Sequence, residues 1–255
     1  MRAIHHHPIY KRFYGLSFLG FLFGVIYGIF SLTLPLLAEH ELSNVALLGV
    51  IFALPELVGV LLDVPLGGFA NRFGRRHTIF YSGILLALSA AGFALFPHPL
   101  VFLLTLIFYE IAMQAYIIPA DAELMAISPS RRSGKFNGIV EGLHNFGFSV
   151  GPIIAGFLIA RSIEYPFWLA FVLSLLLAGL SFRFLRPEAS AEPFTAAVEH
   201  LWRRDRIFRS SISEFLELGF VGMFTTFLFL FLRSGGGSLH FWSRSILTHS
   251  DSAVS

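Results

Sequence analysis

Apolar residues along this chain come in long blocks, parted by short polar breaks such as Glu39-His40-Glu41, Pro97-His98-Pro99 and Ser128-Pro129-Ser130. Crossing the hydrocarbon of a bilayer takes about 20 apolar residues in a helix. Seven blocks reach that length, at 13–37, 45–70, 78–96, 100–127, 136–160, 166–185 and 211–232. The pattern predicts an all-α membrane protein: a six-helix bundle over 13–185 and a seventh transmembrane helix. The first block is longer than the ~7–15 residues of a signal-peptide core and ends in Leu36-Leu37-Ala38-Glu39-His40, without a small-residue cleavage site, so it is expected to stay as a helix.

Lysine and arginine give the blocks an orientation. Arg2, Lys11 and Arg12 precede the first block, and Arg72, Arg75 and Arg76 lie between the second and third. Arg131, Arg132 and Lys135 lie between the fourth and fifth, and Arg183, Arg186, Arg203, Arg204, Arg206 and Arg209 between the sixth and seventh. On the opposite side only Arg161 stands, beside Glu39, Glu41 and Glu164. Positive residues stay on the cytoplasmic side, so the tail 1–12 and the basic loops are expected in the cytoplasm, in a multi-pass protein of the cell membrane. Residues 186–210 form a central cytoplasmic loop, in which 196–207 fits a short amphipathic helix. After Leu232 the apolar pattern stops, and 233–255 reads as a disordered tail or a junction artefact.

Composition agrees. Hydrophobic residues make up 55% of the 255, with 30 Phe, while charged residues make up only 13%. Mean hydropathy is +0.72. A soluble domain carries about 25% charged residues, so a water-exposed surface could not be built from this sequence. The absence of Cys excludes disulfides and thiolate metal sites. A pI near 9.1 invites a nucleic-acid reading, but the basic residues sit in short clusters between apolar blocks and serve topology instead. The lipid bilayer is the expected partner, nucleic acid is not, and no cofactor or metal signature appears.

Two runs carry more specific information. Between the second and third blocks stands Asp63-Val64-Pro65-Leu66-Gly67-Gly68-Phe69-Ala70-Asn71-Arg72-Phe73-Gly74-Arg75-Arg76. Gly67 and Gly68 allow close approach of another backbone, Gly74 permits a turn closed to other residues, and Arg75 can reach the acids Asp121 and Glu123 at the end of the fourth block. In the fifth block Gly138, Gly147, Gly151-Pro152 and Ala155-Gly156 combine a close-packing strip with a proline that bends the helix. Gly20, Gly24 and Gly28 form a similar ladder in the first.

Both runs resemble the major facilitator superfamily. The first is similar to its loop signature G-x-L-A-D-R-x-G-R-R/K: Gly67, Ala70, Arg72, Gly74, Arg75 and Arg76 match, Phe69 stands for Leu, and Asn71 replaces Asp. The second is similar to the family's antiporter pattern G-x8-G-x3-G-P-x2-G-G, with Ala155 for one Gly. The resemblance covers about residues 10–232. It implies a secondary active transporter of a small solute, with two pseudo-symmetric halves and substrate held between them. It also implies a cytoplasmic latch, in which a neutral Asn71 weakens the helix-two member.

Ionisable residues inside apolar helices are costly and mark transport or proton-coupling sites. Glu56 and Asp63 share a face of the second helix, Glu110 lies at mid-depth of the fourth with Gln114 one turn on, and Glu141, His144 and Asn145 share a face of the fifth. A structural ion pair or hydrogen bond within the bundle is the competing reading for Glu56 and Asp63, and Glu141, close to the expected cytoplasmic end, reads also as a gate or a snorkelling residue. Proton-coupled drug antiporters of the family carry an Arg in an R-x-x-Q-G pattern on helix four, and here that helix has neither Arg nor Lys. Two further readings stay open. Gly147-Phe148-Ser149-Val150-Gly151 spells the G-x-S-x-G of hydrolases and would make Ser149 the nucleophile of an intramembrane serine hydrolase. A chain holding six or seven of the family's helices would be an incomplete product, a half-transporter acting as a homodimer, or a membrane protein that transports nothing by itself.

Overall fold

The computed structural model describes residues 8–41, 45–95, 98–128 and 133–185. The expected connection 186–210, the seventh helix 211–232 and the tail 233–255 lie outside them. The described residues form α1 (Pro8–Glu41), α2 (Val45–Phe73), α3 (Arg75–Leu95), α4 (Pro99–Ile127), α5 (Ser133–Ile159) and α6 (Tyr165–Phe184). α1 and α3 to α6 are each long and apolar enough to cross a membrane, and α2, at 29 residues, has the length to do so. Helices are the natural outcome, because lipid offers no partner for a backbone N–H or C=O. Hydroxyls follow the same rule. Thr33 Oγ1 donates to Ile29 O at 2.8 Å, Ser89 Oγ to Leu85 O at 2.9 Å and Ser181 Oγ to Ala178 O at 2.7 Å, each within its own helix.

The helices run up and down. The starts of α1, α3 and α5 therefore lie with the ends of α2, α4 and α6 at one end of the bundle, here termed the basic end. Among the described residues it carries Lys11, Arg12, Arg72, Arg75, Arg76, Lys135 and Arg183, against Arg161 alone at the other. Several helices are longer than their apolar blocks. α1 begins at Pro8 rather than 13, and α2 and α3 meet at Gly74 alone, so the expected loop 71–77 is a one-residue reversal between two continuous helices.

α1 is the axis of the core. Phe23, Ile26, Ile29 and Phe30 are fully buried, and the Phe30 ring meets Tyr109 of α4 at 4.7 Å, Phe93 of α3 at 6.0 Å and Phe167 of α6 at 6.0 Å. α1 packs on α5 and α6, α3 on α4 and α6, and α2 on α4. The α1–α5 seam is built from glycine: a Cβ at Gly24 would fall on the His144 carbonyl, at Gly28 on the Phe148 carbonyl and at Gly147 on the Phe21 carbonyl. Backbones then approach closely, the usual source of helix adhesion where no hydrophobic effect separates protein from lipid. Large apolar side chains such as Leu88, Leu104, Phe108, Phe157 and Val172 point outward, as a lipid-facing surface requires.

Candidate functional site

Gly74 reverses the chain between α2 and α3 with φ of 89°, the only positive φ among the described residues. Its N–H bonds Ala70 O at 3.0 Å, and its carbonyl accepts from Thr78 N at 3.2 Å, which joins the two helices end to end. This places Arg75 in the first turn of α3, where its Nη1 lies 3.1 Å from Glu123 Oε2 on α4. The second oxygen of the same carboxylate takes Arg12 Nη2 of α1 at 2.6 Å. Glu123 is 3% exposed. A buried carboxylate held by two guanidinium groups thus ties α1, α3 and α4 together at the basic end. Arg12 appears in the sequence only as a topology signal; its distance of 111 residues from Glu123 gives no local sign of the pairing.

The other residues of the loop signature spread out. Arg76 lies over the Phe182 ring of α6 at 4.7 Å and Arg72 near the Phe73 ring at 5.6 Å. Gly67 faces Ile118 of α4, Ala70 is buried, and Asn71 is half-buried on the last turn of α2. Asp121, also on α4, lines a cleft.

That cleft, of about 230 Å³, opens where α4 and α5 diverge over α1. Leu16, Gly20 and Phe23 of α1 floor it, Tyr116, Ile117, Ala120, Asp121 and Leu124 of α4 form one wall, and Val140, Glu141 and His144 of α5 the other. Phe23 stacks on Tyr116 at 3.8 Å and approaches the His144 ring at 5.7 Å, and the imidazole also faces the Gly20 backbone. Two carboxyl groups, an imidazole and a phenol therefore share one concavity. Asn145 does not join them. It is exposed and does not line the cleft.

Glu110 and Gln114 form a second polar spot, between α2 and α4. Gln114 Nε2 lies 3.4 Å from Glu110 Oε1, and a Cβ at Gly59 of α2 would come within 2.9 Å of the same oxygen. Asp63 is half-buried further along α2, while the side chain of Glu56 lies outside the described ones. In the glycine motif of α5, Gly147 and Gly151 are pressed against α1, whereas Gly138 and Gly156 have no described neighbour within 4 Å. Pro152 lies inside α5 beside Gly28.

Ser149 is not a nucleophile elbow. It sits inside α5 with helix on both sides, and its hydroxyl donates to Asn145 O at 2.9 Å. His144 projects into the cleft instead of toward it. Among the described residues no group of three His, Asp or Glu side chains is placed to hold a metal ion.

Comparison with known proteins places the chain among transporters. The family model of the Major Facilitator Superfamily matches residues 16–247. Among curated proteins, the chain is similar to an uncharacterized MFS-type transporter of Methanocaldococcus jannaschii, 28% identical over 137 residues, which are 53% of this chain and 35% of that protein. It is similar to Multidrug resistance protein 2 of Bacillus subtilis, 29% identical over 137 residues, covering 53% of this chain and 34% of the relative. Quinolone resistance protein NorA of Staphylococcus aureus is 31% identical over 136 residues, 52% of this chain and 34% of NorA. The chain thus spans about a third of the length of the curated relatives it matches. With a match over most of its length, in a bundle of membrane-crossing helices, the chain belongs to the major facilitator superfamily of transmembrane transporters.

Proposed function

We propose that this chain takes part in secondary active transport of a small organic solute across the cell membrane, in the direction of export. The observation that carries the reading is the cleft among α1, α4 and α5, whose lining brings Asp121, Glu141, His144 and Tyr116 together inside a largely apolar bundle. The printed names of two relatives, a multidrug and a quinolone resistance protein, support a solute of drug-like chemistry. The basic end faces the cytoplasm by the distribution of Lys and Arg. There the clasp of Arg12, Glu123 and Arg75 holds one conformation of the transporter, and its release accompanies the other.

Protons drive the cycle in this reading. Glu110, paired with Gln114 against Gly59, is the coupling carboxyl of the membrane interior, and Glu141 with His144 supplies the cleft with exchangeable protons. Asp63 and Glu56 on α2 complete the series of acids. Flux of a fluorescent drug from proteoliposomes under an imposed proton gradient tests this. Gradient-driven flux that falls at least about tenfold in Glu110→Gln is expected, and full flux in that variant would reject the coupling role. Crosslinking in the same vesicles distinguishes a homodimer, which would supply a second half to face the first, from a single chain.

A further inference from the structure

We infer that the exposed side of the α3–α6 pair, at the basic end of the bundle, seats one anionic phospholipid, its headgroup phosphate held by Arg76 and Arg183 around Phe182. The inference needs only a membrane around the bundle and does not rest on the transport reading. Two adjacent arginines at the start of α3 are used differently. Arg75 is spent on Glu123. Arg76 makes no ion pair with a described residue. Its guanidinium lies over the Phe182 ring of α6 at 4.7 Å, and its Nε is buried without a hydrogen-bond partner among the described residues. Arg183 follows Phe182 on the last turn of α6, exposed and likewise without an acid among the described residues. Neither helix can supply one, since α3 and α6 hold no Asp or Glu. An unmet N–H on a half-buried guanidinium costs free energy, and a phosphate oxygen at the membrane surface is the acceptor that answers it.

Phe182 organises the seat. The His77 ring meets it edge-on at 5.7 Å and the Phe80 ring at 4.9 Å, while His77 Nδ1 lies 3.0 Å from the Phe73 carbonyl. Stacking on the ring fixes the plane of the Arg76 guanidinium before a ligand arrives, which lowers the entropy lost on binding. The apolar surface beside the charges decides between a lipid and a soluble phosphate. Tyr81 and Leu88 of α3 are both exposed and seven residues apart, and so are Phe182 and Leu175 of α6, so each pair marks one line along its helix. The two lines belong to closely packed helices, for a Cβ at Gly83 would meet the Ala178 backbone at 2.8 Å. A cationic head above an apolar strip matches a phospholipid, and a free phosphate would leave the strip unused. Net negative charge is required, because a choline headgroup brings its own cation to the phosphate.

Native mass spectrometry of the full chain in detergent, titrated with dioleoylphosphatidylglycerol or dioleoylphosphatidylcholine, tests the seat. Saturable retention of phosphatidylglycerol is expected, with at least about tenfold weaker retention of phosphatidylcholine. Arg76→Gln and Arg183→Gln should each weaken phosphatidylglycerol about fivefold, and the double variant about twentyfold or more. Arg183 is exposed, so its variant keeps the test open even where Arg76→Gln fails to fold. Lys135→Gln, at the same end on α5, and Arg161→Gln, at the other end, should bind like the parent chain. Equal retention of the two lipids would overturn the inference, as would unchanged affinity in Arg183→Gln. A loss in Lys135→Gln as large as in the arginine variants would also overturn it, by showing a diffuse attraction to basic charge. Soluble glycerol phosphate at tenfold excess over the lipid should not displace it; displacement would assign the arginines to a free phosphate and reject the lipid.

Discussion

Glu123 holds two guanidinium groups with its two oxygens while almost fully buried, so its charge cannot be replaced by water when it is removed. Glu123→Gln should destabilise the bundle by about 1–3 kcal/mol, read as an earlier thermal transition in detergent. Arg12→Gln should have a similar effect, since it breaks the shorter of the two bonds; a variant that melts with the parent would show that the clasp contributes nothing. Gly74 is constrained differently. At φ of 89° any Cβ is strained, and Gly74→Ala should cost about 1–2 kcal/mol. Of these residues, Gly74 and Arg75 were legible in the sequence, because a glycine turn and its flanking arginines are local features. Arg12 was not, because the partner of a basic residue 111 positions away is decided by how helices pack. The separation of His144 from Asn145 was lost for a similar reason: spacing places both on one broad face, and only the position of α4 decides which of them borders the cleft.

Along the helices, hydropathy located all six described elements but not their ends. It reports depth in the membrane, whereas a helix continues into the headgroup region as long as its backbone bonds are made, as Arg75 to His77 show at the start of α3. Glycine spacing had the converse limitation. The motif of α5 reads as one strip, yet Gly147 and Gly151 serve the α1 seam while Gly138 and Gly156 face away from every described neighbour. Gly151→Leu should therefore dissolve the α1–α5 contact and cause loss of the folded protein, measured as recovery of a monodisperse peak in detergent. Gly138→Leu should leave that recovery within about the normal spread of surface changes. Equal loss in both variants would mean that the motif acts as one surface in this chain.

For the molecule as a whole, the sequence carried the class and the family, since both depend on blocks and motifs that span the chain. As a member of a transporter family it is not an enzyme, in keeping with a Ser149 hydroxyl bonded to its own helix. The cleft was not legible as a site: its lining comes from three helices, and the acids in it are separated by tens of residues. The central claim is that the cleft among α1, α4 and α5 is reached by water from the basic end of the bundle, the end that the transport reading places in the cytoplasm. The chain has no native Cys, so single replacements can be labelled cleanly with a membrane-impermeant maleimide. Glu141→Cys should react in inverted vesicles and not in intact cells, with Arg161→Cys showing the opposite pattern. Labelling of Glu141→Cys only from the outside, or from neither side, would contradict the account.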